Sequence, residues 1–236
     1  MSRPTLTRPI VYPESDGKPM AETDVHRDWM VQLIELLKFL FSGLRVYVSG
    51  NLLVYYVEGN PRRSFAPDVF VVKDCDPRRR RTYQIWEEGK SPNFVLEVTS
   101  KKTRREDKGK KMELCAQLGV NEYFLYDPLG EWLDPPLQGY RLSGEHYEPI
   151  APDSAGGLVS EQLGITFRLE DGQLMLHETA TGKPILSAAE RARNADERAA
   201  NAQERALAAE QRAAQEAAAR KILEEEVRRL KGQRSH

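Results

Sequence analysis

The stretch that most limits what this chain can become is residues 93–99, NFVLEVT. It is a nearly continuous apolar run, so it reads as a strand covered on both faces and therefore central in a sheet. Glu97 lies inside it, where an ionised carboxylate is costly unless an opposite charge meets it. A charged helix follows over about 104–118 (RREDKGKKMELCAQL), and Gly119 stops it as a C′ glycine. The next run, 122–127 (EYFLYD), is another strand, which Pro128 ends.

Upstream, Trp29, Met30, Leu33, Ile34, Leu37 and Phe41 recur at helical spacing, and Thr23 or Asp24 can cap the helix they define, about 24–42. Segments 45–49 (RVYVS) and 52–57 (LLVYYV) are β-rich, and Gly50-Asn51 between them predicts two strands joined by a tight connection. A strand begins at Pro67 (PDVFVV), and a shorter one is expected near 83–86. Between about 138 and 177 the segments QGYRLS, HYEPIA, ITFRLE and LMLHET alternate with glycine turns and read as hairpins on the sheet edge. The expected fold is α/β over about 21–180: a mixed sheet flanked by helices, with small β-hairpin additions. Residues 1–20 read as a flexible, proline-rich arm without the apolar core of a signal peptide. No run of about 18 apolar residues predicts a membrane span.

From about 187 to 232 the chain changes in kind. Ala192, Ala195, Ala199, Ala202, Ala206, Ala209 and Ala213 recur at alternating spacings of three and four, and Leu223, Val227 and Leu230 continue the register. This is a heptad seam made mostly of alanine, which favours helix strongly but buries little area. It predicts a long helix, either solitary and solvated or paired with a second copy as a coiled coil and homodimer.

Cleaving a phosphodiester calls for a hard cation and a positioned water. Magnesium takes one or two carboxylates, with waters and substrate phosphate completing its shell. Asp68, at the start of its strand, and Glu97 are placed to converge as such a pair. Two carboxylates about 4 Å apart repel by roughly 1 kcal/mol in water and about 4 at an effective dielectric near 20, and a divalent cation reverses the sign. Singly, each has a plainer reading: Pro-Asp opens many turns, and a strand Glu often faces water at an edge.

Pro67-Asp68 followed by Glu97 resembles the signature of PD-(D/E)XK nucleases. Residues 92–128 resemble more narrowly the Uma family of putative restriction endonucleases. The matching positions are Glu97-Val98-Thr99-Ser100, then Asp107, Lys111, Gly119-Val120-Asn121-Glu122-Tyr123 and Asp127-Pro128. The resemblance implies a restriction-endonuclease-like core, DNA as partner, and magnesium (or manganese) held by Asp68, Glu97 and the Val98 carbonyl. The superfamily carries a lysine two residues after the strand glutamate, where this chain has Thr99. Lys111, one turn beyond Asp107 on the same helix face, is the replacement expected to position the water and stabilise transition-state charge, with Asp107 orienting it. Lys101, Lys102 and Lys108 compete for the role, and the plainer reading of Lys111 is an i,i+4 ion pair worth about 0.2–0.5 kcal/mol. Glu22 and His26, near the start of the first helix, occupy the neighbourhood where the superfamily places an acid in the metal shell.

Lys plus Arg number 35 and Asp plus Glu 36, a formal net charge of -1, so any phosphate-binding surface must be local. Lys101, Lys102, Arg104, Arg105 and Lys108 follow the proposed metal strand, and Arg62, Arg63 and the run 78–81 (RRRR) flank it from the other side. About four phosphate contacts among them would give a log–log salt slope near about −3.6. Cys75 and Cys115 lack CxxC partners, which speaks against a zinc knuckle or disulfide framework and for a reduced, cytoplasmic setting. The expected activity is that of a magnesium-dependent endonuclease. The alternative is a catalytically impaired nucleic-acid-binding module that self-associates through its coil.

Overall fold

The apolar run around Glu97 lies where its composition demands. The computed structural model describes residues 10–15, 17 and 23–233, with backbone only at 222, 226, 227 and 229–233. In it β6 (Phe94–Val98) is buried at all five residues. It is an inner strand of a six-stranded sheet ordered β1 (Val46–Ser49), β4 (Val69–Lys73), β6, β7 (Glu122–Tyr126), β8 (Leu137–Ser143), β9 (His146–Pro149). Only β6 and β7 run parallel; the other neighbours are antiparallel.

The parallel pair needs a crossover, and the charged helix supplies it. It is not one regular helix. α3 (Arg104–Glu106) passes into a π-helical turn, Asp107–Lys111, and then into α4 (Met112–Gln117). Gly119, at φ +74°, ends it: its N–H donates to Ala116 O (3.0 Å) and the Val120 N–H to Cys115 O (2.9 Å). These are the paired bonds of a Schellman motif, which only a left-handed residue at C′ allows.

Two cores form on opposite faces of the sheet. On one, α1 (Asp24–Leu40), capped by Thr23 Oγ1 on the His26 N–H, packs Met30, Leu33 and Leu37 against Val69, Leu96 and Val98. The same face is covered by a second sheet, β10 (Leu158–Ser160), β11 (Ile165–Glu170) and β12 (Gln173–Glu178), whose Phe167 stacks on Phe94. Buried Glu122 ties that sheet down: its carboxylate accepts from the Ser160 hydroxyl and the Glu161 N–H (2.9 Å) and pairs with Arg141. On the opposite face Val95, Phe70 and Tyr123 meet Cys115 and Val120, with β2 (Val54–Tyr55), β3 (Ser64–Phe65) and β5 (Tyr83–Gln84) forming a small third sheet. Each side chain buried in these cores contributes roughly 1.5–3 kcal/mol of transfer free energy.

Two expectations change. Gly50-Asn51 does not join a hairpin: β1 pairs with β4, while β2 pairs with β3 and β5. The Asn51 N–H instead donates to Pro67 O (2.8 Å), so the chain crosses over the start of β4 and leaves the main sheet. The segments expected as edge decoration divide: 137–149 extends the main sheet, and 158–178 builds the second one. Within the stretch expected as an arm, Tyr12 packs against Tyr55 and Trp86, and the Tyr55 hydroxyl donates to Pro13 O (2.6 Å).

The chain divides after Ser187. The second unit is α5 (Ala188–Gln233), 46 residues and roughly 70 Å long. From 195 onward every described side chain in it is exposed, the heptad alanines and Leu223 included. The side chains of Val227 and Leu230 lie outside the described ones. Among the described residues no helix is long and apolar enough to cross a membrane. Cys75 and Cys115 are buried free thiols.

Candidate active site

Strand register brings the two acids together. Val69 lies opposite Leu96 and Phe70 opposite Val95. One step further, the same register sets Asp68 opposite Glu97, and directly opposed residues of an antiparallel pair share a face. The Asp68 N–H donates to Glu97 Oε2 at 3.3 Å. Gly50 presses on the same backbone: a Cβ at residue 50 would stand 1.9 Å from the Asp68 carbonyl oxygen, so no other residue fits there without displacing the acid.

The Asp68 carboxylate is held from two sides. Its Oδ2 accepts the Val98 N–H at 2.8 Å and meets His26 Nε2 at 2.9 Å. His26 reaches it from the first turn of α1 and is itself buried. Val98 thus meets the Asp68 carboxylate through its N–H. Glu22, expected beside His26, lies outside the described residues.

Glu97 is fully buried, and Lys111 Nζ donates to its Oε2 at 2.9 Å. The same ammonium is 3.3 Å from Asp107 Oδ1. Lys111 therefore both pairs with Asp107 and reaches the strand acid. Lys101, Lys102 and Lys108 are exposed and pair with no site carboxylate among the described residues. The π turn carries both Asp107 and Lys111, and the buried Tyr123 hydroxyl donates to the Asp107 backbone carbonyl at 2.8 Å. Single π turns inside α-helices are frequent at functional sites. Thr99 is buried, its hydroxyl oxygen without a hydrogen-bond partner.

The electrostatics follow from burial and crowding. Burial pushes the Glu97 carboxyl well above its usual pKa; Lys111 opposes this, and the Asp68 and Asp107 charges add to it. Asp107 is raised for the same first reason, again against Lys111. Burial works against the Lys111 ammonium, but the Glu97, Asp107 and Asp68 carboxylates outweigh it, so its pKa is raised and the lysine keeps its proton. Three carboxylates thus surround one ammonium.

Among the described residues no group of three or more His, Cys, Asp or Glu side chains is set to hold a metal ion by itself. Glu97 Oε1 is buried without a hydrogen-bond partner. Two carboxylates with an unspent buried oxygen suit a hard cation that keeps several of its waters, magnesium or manganese, better than a metal needing a full protein cage.

The basic runs separate. Arg80 is turned inward: it pairs with Glu88 at 2.7 Å and its guanidinium lies 4.2 Å over the Tyr47 ring. Arg78 also binds Glu88, and Arg81 pairs with Glu14. The run 78–81 is therefore largely occupied in holding its own loop rather than free for phosphates. Lys101, Lys102, Arg105 and Lys108 are exposed beyond the carboxyl end of β6, with Arg104 half-buried among them. From the sequence alone Gly50 and Tyr123 had no part in the site, and nothing pointed to Trp132. The signals were a glycine between two β-rich segments, a tyrosine beside Glu122, and an aromatic residue remote in sequence from the basic cluster it meets.

A family model described as a putative restriction endonuclease, Uma2, matches residues 12–186. Among solved structures, the crystal structure of a putative nuclease belonging to DUF820 from Anabaena variabilis ATCC 29413 aligns with a TM-score of 0.45 and 17% identity, covering 62% of this chain and 76% of that one. No curated protein matches the chain.

Proposed function

Since the chain belongs to the Uma2 family of putative restriction endonucleases, we propose that it cleaves phosphodiester bonds in DNA with the help of magnesium, or of manganese in its place. Asp68, Glu97 and the Val98 carbonyl would hold the cation. The observation that carries this reading is buried Glu97, whose Oε2 accepts from both Lys111 and the Asp68 N–H while its Oε1 is left unpartnered. When bound, the metal supplies Lewis-acid polarisation of the phosphate and a more acidic water.

The chain's own residues do the rest. Lys111, kept charged by its carboxylate neighbours, presents a preorganised positive charge for the negative charge that grows on the phosphoryl oxygens. Asp107 anchors that ammonium. His26 and the Val98 N–H fix the Asp68 carboxylate, so little reorganisation is left at the moment of reaction. Lys101, Lys102, Arg104, Arg105 and Lys108 supply phosphate contacts that position the duplex without reading its sequence. The alanine register of α5, with Leu207 and Leu223 exposed, supports a homodimer through that helix.

The direct test is cleavage of plasmid and linear DNA by the purified protein. Cutting is expected with magnesium or manganese, none in EDTA, and none by Asp68→Ala. Cutting that survives both chelation and that substitution would overturn the reading. A second prediction concerns packing. Gly50→Ala forces a methyl group onto the Asp68 carbonyl, and a misplacement of about 1 Å can cost around a hundredfold in rate. Cleavage by Gly50→Ala is expected to fall by about that factor, while overpacking costs about 1–3 kcal/mol of stability in a thermal melt. A variant as active as the parent would show that Asp68 tolerates movement.

A further inference from the structure

Beyond the carboxylates, the loop after β7 is built with unusual care. Asp127, itself buried, accepts the backbone N–H groups of Leu129, Trp132 and Leu133 on one carboxylate. Its own N–H donates to Pro136 O, and the Gln138 amide donates to Asp134 O and Pro135 O. Leu133 is drawn into the core, while Trp132 stays half-exposed on the outer side. The loop therefore holds one indole ring in place after the carboxyl end of β7, the strand that runs parallel to β6 and its Glu97.

Two cations rest on that ring. Lys101 Nζ lies 5.6 Å and Arg104 Cζ 5.0 Å from its centroid. Among the described residues neither has a carboxylate partner, unlike Arg78, Arg80 and Arg141, each of which is paired with an acid. An aromatic face attracts a cation without neutralising it. It also holds a long, flexible side chain in place, so less rotamer freedom remains to be lost on binding. Two restrained and uncompensated cations beside a phosphodiesterase site are set for an anion that comes as a repeating chain.

Resting on the nuclease reading above, we propose that Lys101, Arg104 and Trp132 form a grip for backbone phosphates of the DNA strand entering that site. Trp132 is a positioning residue: it orders the two cations and carries no charge of its own.

The test is equilibrium binding of a short labelled DNA duplex in EDTA across a salt series, with magnesium-dependent cleavage run in parallel. Each phosphate contact contributes about 0.9 to the log–log salt slope. Lys101→Ala with Arg104→Ala is expected to lower the slope by about 1.8. Trp132→Ala keeps both charges, so its slope should stay near the parent's while affinity falls about threefold, the scale of lost cation–π contacts. Trp132→Phe should recover most of that loss, and the defect should show in KM more than in kcat. The double variant replaces an exposed and a half-buried side chain and leaves the core untouched, so it keeps the test decisive if Trp132→Ala unfolds. An unchanged slope and affinity in the double variant overturn the grip even if the parent cuts DNA, leaving the nuclease reading intact. The expected binding pattern without any metal-dependent cutting supports the grip and overturns the nuclease reading. A parent that neither binds nor cuts overturns both.

Discussion

Glu97→Gln is expected to lose DNA cleavage by about a thousandfold, equivalent to roughly 4 kcal/mol of transition-state stabilisation, while the fold stays as stable as before or gains. The two halves of this expectation have one cause. Glu97 is fully buried next to Asp68 and Asp107, and burial with carboxylate crowding raises its pKa against the pull of Lys111. An amide of the same shape can still accept from Lys111 but removes one of the three negative charges. The repulsion that a cation would otherwise relieve is then gone, and so is the reason for the cation to bind. Stability commonly rises when a functional acid is neutralised in this way. Activity measured under excess magnesium, alongside thermal melting with and without the metal, separates the effects. Magnesium should raise the melting temperature of the parent and not that of Glu97→Gln. A variant that cuts DNA within tenfold of the parent would remove Glu97 from the chemistry.

Lys111→Met should fail in both respects. The substitution keeps an unbranched apolar stem in the core but leaves Glu97 and Asp107 without the ammonium that lies 2.9 and 3.3 Å from them. Taking one partner from a buried ion pair costs about 3–5 kcal/mol. The lower end is expected here, because Lys111 retains some exposure (16%) and the two acids can protonate instead. In a domain of this size about 3 kcal/mol lowers the melting temperature by roughly 6–12 °C. Cleavage should fall with it, and magnesium should protect this variant more strongly than the parent, since a cation can replace the missing charge. Full activity in Lys111→Met would mean that some other lysine serves the site.

Much of this arrangement is legible in the sequence, because it rests on patterns that act locally. The apolar run around Glu97 could only be an inner strand, and the helix before it declares its buried face through Met30, Leu33 and Leu37. Asp68 and Glu97 converge because their strands pair in register, which the position of Pro67 hints at. What escaped the sequence depends on distant partners. Gly50-Asn51 carries the chemistry of a hairpin turn, yet the glycine is there because the Asp68 carbonyl presses against it. The run 78–81 looks like a phosphate-binding surface until Tyr47 and Glu88 arrive from elsewhere to claim Arg80. Trp132 has no basic neighbour in sequence; Lys101 and Arg104 come to it only when β6 and β7 lie side by side.

The π turn has no sequence signature at all, since the residues that wind it also suit an α-helix. It loosens the spacing that the site demands. A π turn takes in about one residue more than the α-helical turn it replaces. Deleting one residue between Asp107 and Lys111 would let the segment close into a regular α-helix, in which residues three apart still lie on one face. A lysine three residues after the acid should therefore still reach Glu97, while one further inserted residue, which turns every later side chain by about 100°, should carry it away.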